Sequence, residues 1–138
     1  MTRDTTPSIV RINPPGLGSP PGYSQIVDVT AGCIIFISGQ TALDANGNLV
    51  GKSDFVAQAA QVFRNLGVAL QASGCDAANL VKLTVFLTDM NHLATYREAR
   101  NRFFATVTPP AAPAVTLVEI SKLYGPDFLI EIEAIAAA

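Results

Sequence analysis

Two carboxylates near the end of the chain have the most to offer chemically. Glu131 and Glu133 sit two apart in a β-rich segment, Phe128 to Ile135. On a strand both project from one face, about 6.8 Å apart at a rise of ~3.4 Å per residue. Such a pair can do acid/base work if one member is desolvated. A solvated sheet edge, or pairing with an arginine, is the plain alternative. Arg97 and Arg100 are three apart in a segment of helical pattern, so they are neighbours able to grip a carboxylate, while Arg102 points elsewhere. A solvated helix face shared with Glu98 competes with that reading. Ser38-Gly39-Gln40 closes an apolar run and puts a hydroxyl and bare backbone amides at a strand end, where a ligand can approach. Tyr23, after Pro21-Gly22, can lie across a pocket or simply pack on the surface.

Other reactive types are sparse. The one histidine, His92, lacks the companions of a zinc site or a Ser-His-Asp triad and reads as a solvated residue at a helix start. Cys33 and Cys75 are too distant in sequence for a CxxC motif and read as small core residues. Neither a metal nor a cofactor is expected. The nine Lys and Arg are scattered over a chain of net charge −2 and pI near 5.2, which argues against a nucleic-acid surface. No run of 18 apolar residues and no signal-like stretch occurs, so no membrane partner and a cytoplasmic location are expected.

These residues must be positioned by a chain of 138 residues, a one-domain length. It is 49% hydrophobic before its 10 glycines are counted and only 14% charged, against about 25% charged in ordinary domains. A lone subunit so poor in charge leaves apolar surface for another copy to cover, which predicts a homo-oligomer. Residues 1–22, with five prolines, read as an extended Pro/Gly-rich arm, and 23–138 as the single domain. Ser24–Val29 and Cys33–Ile37 read as strands split by a short connection, compatible with a hairpin. Cys33–Ile37 is apolar throughout, which predicts a strand covered on both faces at the centre of a sheet. Ser53 is a plausible N-cap for a helix whose stripe is Phe55, Ala59, Val62, Phe63, Leu66 and Leu70. Asn79–Thr88 alternates as a strand with Val81, Leu83, Val85 and Leu87 on one face. A second helix is expected from about Asn91 to Ala105, a strand over Ala114–Ser121, and a last strand over Phe128–Ile135. The order ββαβαββ predicts an α+β domain: a mixed sheet with two helices on one face and the other face free for a neighbouring subunit.

Taken together, Phe36-Ile37-Ser38-Gly39-Gln40, Val85-Phe86-Leu87-Thr88-Asp89-Met90, Phe103-Phe104 ahead of a proline-rich turn, Pro113-Ala114 and Leu129-Ile130-Glu131-Ile132-Glu133-Ala134-Ile135-Ala136 resemble the RidA/YjgF family of reactive-intermediate deaminases. The likeness runs in order from Tyr23 to Ala136. It implies a homotrimer of chorismate-mutase-like subunits with small-molecule clefts between neighbours. It also implies cofactor-free hydrolysis of enamines or imines such as 2-aminoacrylate to 2-keto acids and ammonia. By the same resemblance Tyr23 flanks the cleft, Ser38 is its serine and Glu131 positions water. The family grips the substrate carboxylate with an arginine after a Pro-Ala step; here Val115 stands there, followed by Thr116, and valine cannot hold an anion. The family's asparagine on the second helix is replaced by Arg97, with Arg100 one turn on. Either the cation has moved from strand to helix, or the cleft takes a different, less anionic or larger metabolite. A non-catalytic metabolite-binding or regulatory trimer is the alternative function. The family's ribonuclease and translation-inhibitor association has least support, given the acidic pI and lone histidine.

Overall fold

The computed structural model describes residues 8–30 and 32–138. Its elements are β1 (Ser8–Ile12), β2 (Ile26–Thr30), β3 (Ile34–Gln40), α1 (Phe55–Ala72), β4 (Leu80–Leu87), α2 (Leu93–Phe104), β5 (Ala114–Glu119) and β6 (Ile130–Ala137). The domain is α+β, as the pattern predicts, with one more strand than ββαβαββ, because the proline-rich arm contains β1. That strand pairs antiparallel with β2 in a separate two-stranded ribbon. The expected hairpin between β2 and β3 is therefore not formed; β2 spends its backbone bonds on β1.

The main sheet has the order β3-β6-β4-β5, with β4 and β5 parallel and the other pairs antiparallel. β6, not β3, is central, and β3 is an edge. An all-apolar strand can lie at an edge because it need be covered on only one face in the protomer: Ile37 is buried, whereas Phe36 is 77% exposed. α1 packs on β6 and β3 and against α2, and its stripe of Phe55, Ala59, Val62, Phe63, Leu66 and Leu70 meets Leu83, Val85, Ile130 and Ile132 in one core. Burying such side chains is worth about 1.5–3 kcal/mol each before chain entropy is counted.

Local departures from the pattern have simple causes. The cap of α1 is Asp54, whose carboxylate accepts from the Ala57 N–H at 3.1 Å, while Ser53 turns the chain at positive φ. On β4 an extra residue at Val81 shifts the register with β6, so Leu80 joins Leu83, Val85 and Leu87 on the core face in its place. α2 is preceded by a 3₁₀ turn capped by Asp89. His92 is not a solvated end residue: its ring stacks on Phe55 at 4.3 Å. Cys33 is exposed, contrary to its expected core place, whereas Cys75 packs half-buried against the core.

Candidate active site

The alternation of β6 divides its side chains cleanly. Ile130, Ile132 and Ala134 face the helices, so Glu131 and Glu133 share the opposite, open face of the sheet. Pairing extends two rows across that face. Glu131 lies opposite Phe86, itself beside Val118; Glu133 lies opposite Thr84, itself beside Thr116.

β3 supplies the other wall. Three residue steps on β3, from Ile37 to Gln40, span two on β6, from Ala134 to Ile132, which places a bulge at Ser38-Gly39. The Glu131 carboxylate lies directly on the bulge: a Cβ on Gly39 would overlap it, with the carboxyl carbon only 2.8 Å away. Here the absent side chain is what lets an acidic group sit against backbone. Gln40 folds back to donate to the Ser38 carbonyl at 3.0 Å.

Burial raises the Glu131 pKa above the ordinary carboxylate value, and the like charge of Glu133 adds to it. Its carboxyl opens into a cavity of about 330 Å³ lined by Phe86, Ile120, Lys122, Leu123, Tyr124 and Glu131. A neighbouring cavity, also about 330 Å³, carries Ser38, Lys82, Thr84 and Glu133. Lys82 is engaged there with the Thr116 hydroxyl at 2.6 Å. Ser38 and Glu131 thus flank one bulge but open into adjoining hollows.

The remaining sequence candidates gather elsewhere. Arg100 is 5% exposed, its guanidinium donating to the Pro21 carbonyl at 3.3 Å and to Asn101 Oδ1 at 3.1 Å. It also lies over the rings of Tyr96 and Phe104. Gly22, at φ +80°, has Arg100 Nη2 where a Cβ would be, so a cation on α2 and a glycine turn together seat the arm beside Tyr23. Ser24 continues this seam: its N–H donates to the Pro113 carbonyl at 3.0 Å and its hydroxyl to the Ala112 carbonyl at 2.5 Å. Val115, in register with Leu83, packs on the core side of β5. Arg97 is exposed on α2. Burial pushes the Tyr96 hydroxyl up to about 12, against the opposing pull of Arg100 and then Arg97. A single protomer therefore brings Ser38, Gly39, Glu131 and Thr116 to its open face, turns Gln40 to the helix side in register with Ile132 and beside Gln61 and Asn65 of α1, and sets Tyr23, Arg100 and Val115 in a separate corner.

Three contributors were not read from the sequence. Gln58, fully buried, donates to the carbonyls of Gly51 and Asp127 and accepts from the Leu129 N–H. It fixes the approach to β6, and hence Glu131. A polar residue inside the apolar stripe of α1 was the available signal. Tyr124, whose hydroxyl is 2.6 Å from that of Thr41, ties the loop after β5 to the end of β3. Lys122 shares the Glu131 cavity. Nothing in the spacing of these last two marks them, because the loop turns them there. Among the described residues no cluster of ligating side chains could hold a metal ion, and no helix is long and apolar enough to cross a membrane.

Comparison with known proteins adds to this geometry. The sequence profile of the family described as Endoribonuclease L-PSP matches residues 17–138. Protein DfrA of Myxococcus xanthus is 40% identical over 116 residues, covering 84% of this chain and 85% of that protein. The 2-iminobutanoate/2-iminopropanoate deaminase of Mus musculus is 39% identical over 114 residues, 83% of this chain and 79% of the mouse protein. Among solved structures, YyfB of the Rid protein family from Yersinia pestis superposes with a TM-score of 0.83 at 32% identity, over 94% of this chain and 98% of that one. Escherichia coli TdcF with bound serine gives 0.70 at 32% identity, over 88% and 91%.

Proposed function

Because this chain belongs to the RidA/YjgF family described as Endoribonuclease L-PSP, we propose that it is a cofactor-free hydrolase of small enamines and imines, working in clefts on the open face of its sheet. The observation that carries the reading is the Glu131 carboxyl, seated on the Gly39 backbone, raised in pKa and opening into a cavity. The mouse relative's name, an imine deaminase, supports the same class of reaction.

The chemistry asks little of the protein. A 2-enamine takes a proton at its β-carbon to become the iminium ion, whose central carbon is electrophilic. Water adds to that carbon, forming one C–O bond as the C=N π pair moves to nitrogen. One proton passes from the added water to nitrogen, the C–N bond breaks as an oxygen lone pair forms the C=O bond, the remaining hydroxyl proton is lost to solvent, and ammonia and a 2-keto acid leave. A carboxyl of raised pKa, partly desolvated and beside Glu133, can take a proton from water and return it to nitrogen. Phe86 and Leu123 give the cavity beside Glu131 an apolar lining, and Ser38 stands across the bulge.

We further propose that three copies enclose this face. Phe36, Ile34 and Val118 are exposed on it, an apolar patch whose removal from water favours association. In that arrangement a neighbour's arm corner, with Tyr23, closes the cleft. A metabolite-binding trimer without turnover is the second reading, favoured by Val115 where the family's arginine is expected. The test is release of ammonia and keto acid from freshly generated 2-aminoacrylate: acceleration over buffer supports the hydrolase, and binding of keto acids without acceleration supports the sensor.

A further inference from the structure

An anionic substrate needs a cation, and the residues the sequence offers for it are placed badly. Arg100 spends its Nε and Nη2 on Asn101 and Pro21 and its faces on two rings. Lys82 is held by Thr116 on the Glu133 side. Arg97 lines no cavity with Glu131, and Val115 faces the core. One cation lines the Glu131 cavity: Lys122, three residues beyond the end of β5. Among the described residues its ammonium makes no hydrogen bond or ion pair. Its loop is nonetheless anchored, since the Tyr124 hydroxyl bonds that of Thr41 at 2.6 Å and its ring packs at a tilt on Phe128, centroids 4.7 Å apart. On the other side of Lys122 the Ile120 N–H donates to the Leu87 carbonyl at 2.9 Å, so its backbone is tied on both sides while the charged end stays available.

We infer that Lys122 is the anion anchor of the Glu131 cavity, binding the carboxylate of a small 2-imino or 2-keto acid in place of the guanidinium missing at Val115. The inference rests on the reading of that cavity as the ligand site. A flexible ammonium is a point charge rather than a planar fork, so it fixes a carboxylate's position but not its plane. That tolerates acids whose side chains tilt the carboxylate differently. Tyr124 offers an exposed ring as the facing wall, so acids with a short apolar side chain fit better than charged ones.

The test compares K122Q and K122R with the wild-type chain, using pyruvate and its uncharged amide as binding probes by NMR titration, and 2-aminoacrylate turnover as the kinetic readout. K122Q is expected to weaken pyruvate binding and raise KM by about tenfold or more, with kcat little changed, the signature of lost binding made equally in ground and transition states. K122R should keep most of the affinity, and the amide should bind all three proteins alike. Pyruvate binding that K122Q leaves intact overturns the inference, whatever the turnover. A wild-type chain that binds pyruvate through Lys122 yet shows no turnover removes the hydrolase reading and leaves the anchor standing.

Discussion

The two polar regions of this protomer treat their charges in opposite ways. At the arm corner, Arg100 is buried, and its carbonyl, amide and aromatic partners all come from its own chain. On the open face, Glu131 sits on bare backbone beside a cavity with its pKa displaced, and Lys122 stands by without a partner among the described residues. A charge whose bonding is satisfied internally holds structure; a charge left partly unsatisfied next to space can act on a ligand. The contrast assigns stability to one region and chemistry to the other, although both were equally plausible binding sites from residue type alone.

Substitutions can break this contrast in order of size. Glu131→Gln should lower turnover by about 10²- to 10⁴-fold, the usual range for a positioned proton-transfer group, while thermal unfolding stays near the wild-type temperature. Gly39→Ala is expected to follow, with a loss of roughly tenfold or more as the new methyl displaces the Glu131 carboxylate, read as kcat on protein of unchanged circular dichroism. Arg100→Ala should do the reverse. It should cost about 2–3 kcal/mol in denaturant unfolding, through lost hydrogen bonds and ring contacts, and leave the Glu131 pH profile in place. An Arg100 variant of full stability but altered pH profile would erase the distinction between the two regions.

The smallest effect is in pH. A carboxyl whose folded pKa lies above its unfolded value binds more protons when folded, so its contribution to stability is greatest at low pH. It declines as pH rises from the ordinary carboxylate range through the raised value. The unfolding temperature of the wild type relative to Glu131→Gln should therefore fall across that window and level off above it. A difference that rises with pH there would mean the carboxylate is stabilised, not desolvated.

Much of this was legible in the residues. Period-two alternation in Ile130-Glu131-Ile132-Glu133 put both acids on one face, and the helical stripe from Phe55 to Leu70 fixed the core side. Ser38-Gly39-Gln40 marked the strand end that proved to be a bulge. What was not legible depends on partners distant in sequence. The apolar run at β3 indicates burial but not which strand sits at the edge, because β1, hidden in a proline-rich stretch, takes β2 for itself. Arg97 and Arg100 share a helix face by spacing, yet only the packing of Pro21 and Gly22 on Arg100 separates a clamp from a surface charge. Lys122 and Tyr124 lie in a loop with no period, so their place beside Glu131 follows from contacts with Thr41, Phe128 and Leu87 that lie far off in sequence or have no pattern.

The most direct measurement is the position of a bound 2-keto acid in a crystal of the assembled protein. The account predicts its carbonyl carbon within about 5 Å of the Glu131 carboxyl, a distance one water can bridge. A keto acid seated elsewhere, with Glu131 facing bulk solvent, would contradict it.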